Sequence, residues 1–544
     1  MKPILLILPF LLAPLPLVAQ EISAGSIGPL IATGHHVWSR RPDFGSYAAD
    51  LSRLYLTNDS RLIWHDGPRL SPAASAAIAQ LSTAGDWGLD PADYDAALLD
   101  SLERESSVHL LVSATRDSFD LLLSIDLLRY VDDLHRGRLH PNPLGDRGSE
   151  MAKLDLVAAL GQAIRADTLP QLIAALQPRL IQYRSLLAAL ARYRGLAGDS
   201  ALLPLQATTT VHPGDPYPGI TALARRLIAF GDLAANDTPP DSLYLGPIVE
   251  AVTRFQTRHG LKPDGVVGPA TLTRLRTPLQ WRVRQIELAL ERLRWLPPLE
   301  GDRVLVVNIP GFELFAFDSA GRSGTPSLEM KVIVGRAIDR RTPVLLEQLR
   351  YVEFWPWWNV PRRIAVEEVL PQLERKPDYL RVNGMELVGP GNKALGDRVT
   401  PVVLRQLRRG QLAIRQQPGP ANPLGLIKFG FPNATQVYLH GTPSPELFSR
   451  TRRDFSHGCI RVEDPSALAN WVMRDEPGWQ PDSTAAGIQG PETRRIWLRH
   501  PLQLAIFYTT AVVRPDGTTW FYDDIYGQDR SLDEALRNRA GSPL

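Results

Sequence analysis

The hydrophobic pattern of this chain changes its period near residue 300, and that change limits the architectures open to it. Before this point apolar residues recur at helical spacing, as in 119–136. After it they alternate in 304–309 and 313–317, two runs separated by Pro310 and Gly311, which is typical of a β-hairpin. A chain of 544 residues is long enough for several domains. We therefore predict a multidomain α+β protein in which helical domains precede a β-rich domain.

The helical part is predicted to divide at a linker. Residues 22–206 indicate a helical domain, and 207–219 is rich in Thr, Pro and Gly without periodicity. A compact helical unit is predicted over 220–276, followed by an amphipathic helix over 279–296. Within the first domain, we expect the carboxylates at 132 and 133 to lie on a solvated helix face.

The N-terminus has the pattern of a secretory signal. Residues 1–19 show a charged start at Lys2, an apolar core and a small residue, Ala19, before Gln20. Because Leu17 stands where a small residue is usual, an uncleaved membrane anchor is the alternative. The apolar stretch is short and interrupted by proline for a spanning helix, which favours cleavage. We expect an exported protein.

Composition excludes one class of partner. The 60 basic residues nearly balance the 58 acidic ones, for a net charge of +2. This balance gives no electrostatic reason to expect nucleic acid as a partner.

The chain has one cysteine, Cys459, which cannot form an internal disulfide. It lies in the string Ser-His-Gly-Cys-Ile-Arg, and a His-Gly pair precedes it at His440 and Gly441. The thiolate is the reactive form of cysteine, and a neighbouring imidazole can take its proton. A buried structural cysteine is the alternative interpretation. An unpaired thiol retained in an exported protein favours a catalytic role.

The strings Val437–Thr442 and Ser456–Arg461 resemble the active-site signature of the L,D-transpeptidases, cysteine enzymes that cross-link bacterial peptidoglycan. In that signature a His-Gly pair is followed by Ser/Thr-His-Gly-Cys, an apolar residue, and Arg or Asn. Every position is met here. The compact unit over 220–276 is similar to the small peptidoglycan-binding domain found beside many cell-wall enzymes.

The resemblance implies the domain plan of the large Gram-negative members and a periplasmic location. The implied domains are a scaffold at 22–206, a peptidoglycan-binding-like domain at 220–276, a β-rich catalytic domain at 301–474 with a capping insertion at about 360–415, and a C-terminal extension at 478–544. Whether 220–276 binds glycan or only keeps the fold stays open.

The resemblance also implies the roles of the site residues. Cys459 is the expected nucleophile and His440 the expected base. The expected supporting residues are Tyr438, Gly441, Ser456, His457, Gly458 and Arg461. Backbone N–H groups of Gly458 and Cys459 are candidate oxyanion donors, with Tyr438 a third. Arg461 is expected either to hold a substrate carboxylate or to brace the loop.

The implied reaction is acyl transfer from a tetrapeptide stem of peptidoglycan, with a thioester intermediate and a 3→3 cross-link as product. No cofactor or metal is expected, since the two histidines and one cysteine do not make a ligand set of usual spacing. The alternatives are an L,D-carboxypeptidase, a transferase that links protein to peptidoglycan, and a non-catalytic peptidoglycan-binding scaffold. Other cell-wall synthases are conceivable partners.

Overall fold

The computed structural model describes residues 27–139, 154–199, 202, 205, 210–237, 242–299, 302–318, 324–490 and 492–541. The predicted signal at 1–19 and part of the predicted linker lie outside the described residues. No helix in the described ranges is both long and apolar enough to cross a membrane.

The N-terminal region is helical, as predicted. Its elements are α1 (Ile27–Ala32), α2 (Ala48–Leu56), β1 (His65–Asp66), β2 (Arg69–Leu70), α3 (Pro72–Ser82), α4 (Ala96–Val108), α5 (Ser113–Arg136), α6 (Leu156–Arg165), α7 (Leu169–Leu176) and α8 (Ile181–Gly198). The expectation of a solvated face on α5 is wrong. Asp132 and Asp133 are buried, and Asp133 accepts a hydrogen bond from Tyr94 and pairs with Arg539 at 2.9 Å. The C-terminal helix covers this face of α5, which the helical period alone does not reveal.

A second, small helical core follows. Its elements are α9 (Ile220–Phe230), α10 (Pro247–Arg258) and α11 (Pro269–Leu275), and its buried side chains include Tyr244, Val252 and Phe255. Helix α12 (Leu279–Arg294) then packs on α8 through Ile286 and Leu290. This helix joins the helical half to the β-rich half.

The β-rich region contains most of the strands. Its elements are β3 (Val304–Asn308), β4 (Glu313–Phe317), β5 (Leu328–Gly335), β6 (Leu345–Phe354), β7 (Trp358–Asn359), α13 (Arg362–Ile364), α14 (Leu370–Arg375), α15 (Tyr379–Val382), β8 (Met385–Val388), α16 (Pro401–Arg409), β9 (Ala413–Gln416), β10 (Ile427–Gly430), β11 (Leu439–His440), β12 (Asp454–Ser456), β13 (Ile460–Val462), α17 (Pro465–Met473), α18 (Pro481–Gln489), β14 (Arg494–Phe507), β15 (Ala511–Val513), β16 (Thr519–Phe521) and α19 (Gln528–Gly541).

The main sheet of this region closes on itself. Its strand order is β12-β5-β13-β11-β10-β6-β14-β3-β4, and β4 also pairs with β5. The predicted hairpin is confirmed, since β3 and β4 pair antiparallel from Val304–Phe317 to Asn308–Glu313. One face of the closed sheet packs into a core that contains Val352, Leu439 and Ile460. The predicted multidomain α+β fold class is confirmed.

The predicted C-terminal extension, 478–544, contributes a strand to the main sheet. Its strand β14 lies inside the main sheet, parallel to β3 and antiparallel to β6. The catalytic sheet is therefore completed by residues near the end of the chain. The sequence offers a strand candidate at 504–512 but not its partners, since sequence pattern does not specify long-range pairing.

The insertion between β6 and β10 forms a cap with its own core. A three-stranded sheet, in the order β7-β9-β8, packs with α14 around buried Leu373, Leu387 and Ile414. A π-helical turn, Ala365–Val369, connects α13 to α14. This turn carries two glutamates toward the main sheet.

Candidate active site

Cys459 lies directly before β13, in a loop that the protein fixes through hydrogen bonds. The Ser456 hydroxyl accepts from the Gly458 N–H at 3.1 Å and donates to the Cys459 carbonyl oxygen. The Gly458 carbonyl accepts from Thr342 Oγ1 at 2.8 Å. Gly458 has a φ of 120°, a conformation that favours glycine over any residue with a side chain. These contacts fix the loop backbone that carries the thiol.

The neighbouring strand brings the predicted partners to the thiol. Strand β11 runs parallel to β13 and pairs His440 with Arg461 in register. The Ile460 N–H donates to the Tyr438 carbonyl at 3.0 Å, and the Tyr438 side chain hydrogen-bonds with Cys459. The pairing thus places the predicted nucleophile, base and hydroxyl at the ends of two adjacent strands.

The buried imidazole of His440 has a fixed orientation. Its Nδ1 lies 2.6 Å from the Gly441 carbonyl oxygen. Because a carbonyl only accepts, Nδ1 carries the proton of the neutral ring and Nε2 is the nitrogen without one. The Leu424 carbonyl also lies within hydrogen-bonding reach of the ring. A backbone carbonyl here takes the place that an aspartate holds in other catalytic triads. The neutral tautomer is the form that can accept a proton from the thiol.

The electrostatics favour a neutral Cys–His pair. Burial lowers the pKa of His440 to about 3, and the charges of Arg461 and Lys428 act in the same direction. Burial also raises the pKa of Cys459, although hydrogen bonds with Tyr438 and the two cations oppose this shift. A thiolate–imidazolium pair formed in advance, which a Cys–His pair can adopt, is therefore disfavoured. The proton is expected to leave the sulfur during attack.

One of the three predicted oxyanion donors has a partner inside the loop. The Gly458 N–H donates to Ser456 Oγ, so it is occupied within the loop. Of the two backbone N–H groups expected as oxyanion donors, the Cys459 N–H remains a candidate. The Tyr438 hydroxyl lies within hydrogen-bonding reach of Cys459 and is the other candidate donor.

His457 is directed to the cap. Its Nε2 lies 2.6 Å from a Glu368 carboxylate oxygen, in the π-helical turn. The same glutamate pairs with Arg340 at 2.7 Å, and Arg340 also pairs with Glu367. The two histidines of the motif therefore have different surroundings: His440 is buried beside the thiol strand, and His457 joins the loop to the cap.

Sequence reasoning missed Lys428 on β10. Its Nζ lies 4.3 Å from the centre of the Tyr438 ring and 3.9 Å from Glu353. In the sequence it is a single charged residue inside the apolar run Leu-Ile-Lys-Phe, and only the structure shows that it lies opposite His440. Within the described ranges, no group of three or more His, Cys, Asp or Glu side chains is arranged to hold a metal ion.

Cys459 and the buried His440 lie on or beside adjacent strands of a closed sheet, and the loop before Cys459 contacts the cap. The family model for the L,D-transpeptidase catalytic domain, YkuD, matches residues 302–487. A "Putative peptidoglycan binding domain" matches 216–275, and a scaffold domain matches 49–190. The chain thus carries an L,D-transpeptidase catalytic domain behind a scaffold and a peptidoglycan-binding-type domain, as the resemblance predicted.

Two individual proteins are similar to parts of the chain. A protein of Haemophilus influenzae named "Putative L,D-transpeptidase" is 31% identical over 258 residues, which are 47% of this chain and 50% of that protein. The chain thus spans about half the length of this relative. A solved L,D-transpeptidase from Xylanimonas cellulosilytica is 17% identical in sequence, with a TM-score of 0.17. The match covers 56% of this chain and 99% of the solved chain. That score is too low to support an argument.

The two histidines should differ in their effect on acylation of the thiol. We expect His440→Ala to lower the rate by about 10²–10⁴-fold, since it removes the base. His457→Ala removes a contact with the cap and should lower the acylation rate less than His440→Ala does. Single-turnover release of D-Ala from a tetrapeptide muropeptide measures both. An equal loss in the two variants, or a greater loss at 457, would reverse these roles.

The pH dependence of alkylation tests the neutral pair. Because the pKa of Cys459 is raised, the thiolate should be scarce at neutral pH and should increase as pH rises past the ordinary range of a thiol. Lys428→Met removes a charge that lowers this pKa, so iodoacetamide labelling at pH 8 should be about threefold to tenfold slower. With one cysteine in the chain, labelling reports on Cys459 alone.

The matched control for this measurement is Lys262→Met, which removes an exposed lysine from the small helical domain. It should leave the labelling rate unchanged. A wild-type profile with its midpoint below pH 7 would show a thiolate formed in advance and would contradict the neutral pair.

Proposed function

We propose that this chain is an L,D-transpeptidase that acts on tetrapeptide stems of peptidoglycan and forms 3→3 cross-links through a thioester on Cys459. The observation that carries the proposal is the pairing of β11 with β13. It sets His440, oriented by the Gly441 carbonyl, beside the strand that follows Cys459, inside a region that matches the L,D-transpeptidase catalytic domain.

In the proposed first half-reaction, the sulfur attacks the carbonyl between the third stem residue and the terminal D-Ala. His440 Nε2 accepts the thiol proton as the carbon–sulfur bond forms. The Cys459 N–H and the Tyr438 hydroxyl stabilise the oxyanion. The imidazolium then donates its proton to the leaving nitrogen, the carbon–nitrogen bond breaks, and D-Ala departs.

In the second half-reaction, the side-chain amine of another stem attacks the thioester. Neutral His440 accepts a proton from this amine, and the proton returns to the sulfur as the carbon–sulfur bond breaks. The thiol is regenerated and one new amide joins the two stems. Water in place of the amine would give a tripeptide, which is the L,D-carboxypeptidase outcome.

The proposal also covers the compartment in which the protein acts and its attachment to peptidoglycan. An exported protein with these domains would meet its substrate in the periplasm. The small helical domain, with a core around Phe255, would hold the chain on the sacculus.

Product analysis tests the reaction. We expect wild-type protein with tetrapeptide muropeptides to give cross-linked dimers and free D-Ala by mass spectrometry. Cys459→Ser should give neither above background, because serine lacks a comparably acidic nucleophile, and its circular dichroism should match the wild type. Cross-linking retained in Cys459→Ser would exclude the thioester route, and tripeptide without dimers would select the carboxypeptidase.

Retention on insoluble peptidoglycan tests attachment. Deletion of residues 220–276 should reduce the fraction pelleted with sacculi, while the Cys459→Ser variant should pellet like the wild type. Since the active-site cleft also contacts peptidoglycan, the comparison should be made without turnover. If the wild type and the variant without 220–276 pellet with sacculi to the same extent, the domain acts only as a spacer.

A further inference from the structure

A closed set of buried hydrogen bonds lies behind the loop that carries Cys459. The Gly335 N–H donates to Thr342 Oγ1 at 2.9 Å, and the Thr342 N–H donates to the Tyr526 hydroxyl at 3.1 Å. That hydroxyl donates in turn to the Gly335 carbonyl oxygen at 2.6 Å. The Thr342 residue is 1% exposed and Tyr526 is 3% exposed. Because the two N–H groups can only donate, the directions of the hydroxyl protons are set.

The Thr342 hydroxyl connects this ring to the nucleophile loop. Its proton is donated to the Gly458 carbonyl oxygen at 2.8 Å. The Gly458 carbonyl and the Cys459 N–H belong to one peptide unit, which is planar, with its C=O and N–H in opposite directions. The bond from Thr342 therefore fixes the direction of the Cys459 N–H, the candidate oxyanion donor. Glycine itself gives this peptide little steric resistance to rotation, and Gly458 has a φ of 120°.

The ring is supported from both sides. A Cβ at Gly335 would lie 1.9 Å from the Arg340 carbonyl oxygen, so the chain can fold back over 335–342 only with glycine at this position. On the other side, the Tyr526 N–H donates to the Tyr508 hydroxyl at 3.0 Å, and the two rings stack with centres 5.8 Å apart. Tyr508 directly follows β14. The C-terminal segment thus reaches the back of the nucleophile loop through the Tyr526 hydroxyl.

We infer that Thr342 and Tyr526 are positioning residues for the acyl transfer, which direct the Cys459 N–H toward the developing oxyanion. Thr342 acts through the peptide between Gly458 and Cys459, and Tyr526 acts through Thr342. A hydrogen bond to the carbonyl also polarises this peptide and strengthens its N–H as a donor. The inference rests on the proposed function and adds to it the groups that hold an oxyanion donor in place.

Single-turnover release of D-Ala from a tetrapeptide muropeptide tests the role of Thr342. Thr342→Val removes the hydroxyl and keeps the shape of the side chain. Loss of one oxyanion donor lowers a rate by about 10²–10³-fold, so a misdirected donor should lower the maximal rate of release by about tenfold to 100-fold. The substrate concentration at half-maximal rate should change by less than about twofold, because the lost interaction belongs to the transition state.

The same measurement tests Tyr526. Tyr526→Phe leaves the Thr342 hydroxyl in place but removes the partner of the Thr342 N–H and of the Gly335 carbonyl. The maximal rate should therefore fall by about threefold to tenfold, less than in Thr342→Val. The double variant should release D-Ala no more slowly than Thr342→Val alone, because Tyr526 acts through Thr342.

Iodoacetamide separates this role from general damage to the site. The sulfur displaces iodide from a saturated carbon, so no oxyanion forms and the Cys459 N–H is not used. Labelling of Cys459 in Thr342→Val and Tyr526→Phe should therefore stay within about twofold of the wild-type rate at the same pH. If Thr342→Val does not fold, Tyr526→Phe is tested with the same two readouts.

Two further variants are the controls. Thr342→Ser keeps the hydroxyl and should restore D-Ala release to within about threefold of the wild-type rate. Tyr522→Phe removes another buried hydroxyl from the same C-terminal segment, one that donates to Glu313 at 2.7 Å. Because that hydrogen bond lies on β4 and not on the ring, Tyr522→Phe should leave both release and labelling unchanged.

The outcomes separate the two proposals. Wild-type protein that labels with iodoacetamide but never releases D-Ala would overturn the proposed function, and the positioning role with it. Wild-type turnover with Thr342→Val and Tyr526→Phe equal to Tyr522→Phe would overturn the positioning role alone. Equal losses of release and labelling would assign both residues to support of the fold and would also overturn it. Losses that multiply in the double variant would overturn the action of Tyr526 through Thr342.

Discussion

The catalytic domain depends on the backbone pairing of β14 with both β3 and β6. Strand β14 begins at Arg494, after every residue of the candidate site, yet its hydrogen bonds join the first hairpin to the strands that carry Lys428 and His440. Without it β3 and β6 would be open edges and the sheet would not close, although β3, β4 and β5 would still pair with one another. Closing a loop of this length costs more conformational entropy than local pairing does. The sheet that carries the site is therefore completed by pairings between distant parts of the chain.

Closure of the sheet also determines the chemistry of the thiol. A closed sheet buries the ends of β11 and β13, and this burial disfavours both the thiolate and the imidazolium. The positive charges of Lys428 and Arg461 partly offset the effect of burial on the Cys459 thiolate, because they lower the pKa of the thiol. The same charges further disfavour the imidazolium form of His440. His440 is therefore a weak base before the substrate binds. Proton transfer becomes favourable once the sulfur bonds to carbon, because a sulfur that forms a bond becomes strongly acidic.

Local features of this fold could be read from the sequence, whereas long-range ones could not. Alternation identifies the β3–β4 hairpin because its strands are adjacent in the chain. The motif around Cys459 identifies the family because its residues are close in sequence. The partners of β14, the contact between His457 and Glu368, and the position of Lys428 opposite His440 all depend on register between distant segments. A one-residue shift in β10 would move Lys428 to the other face, so no local pattern could establish its role.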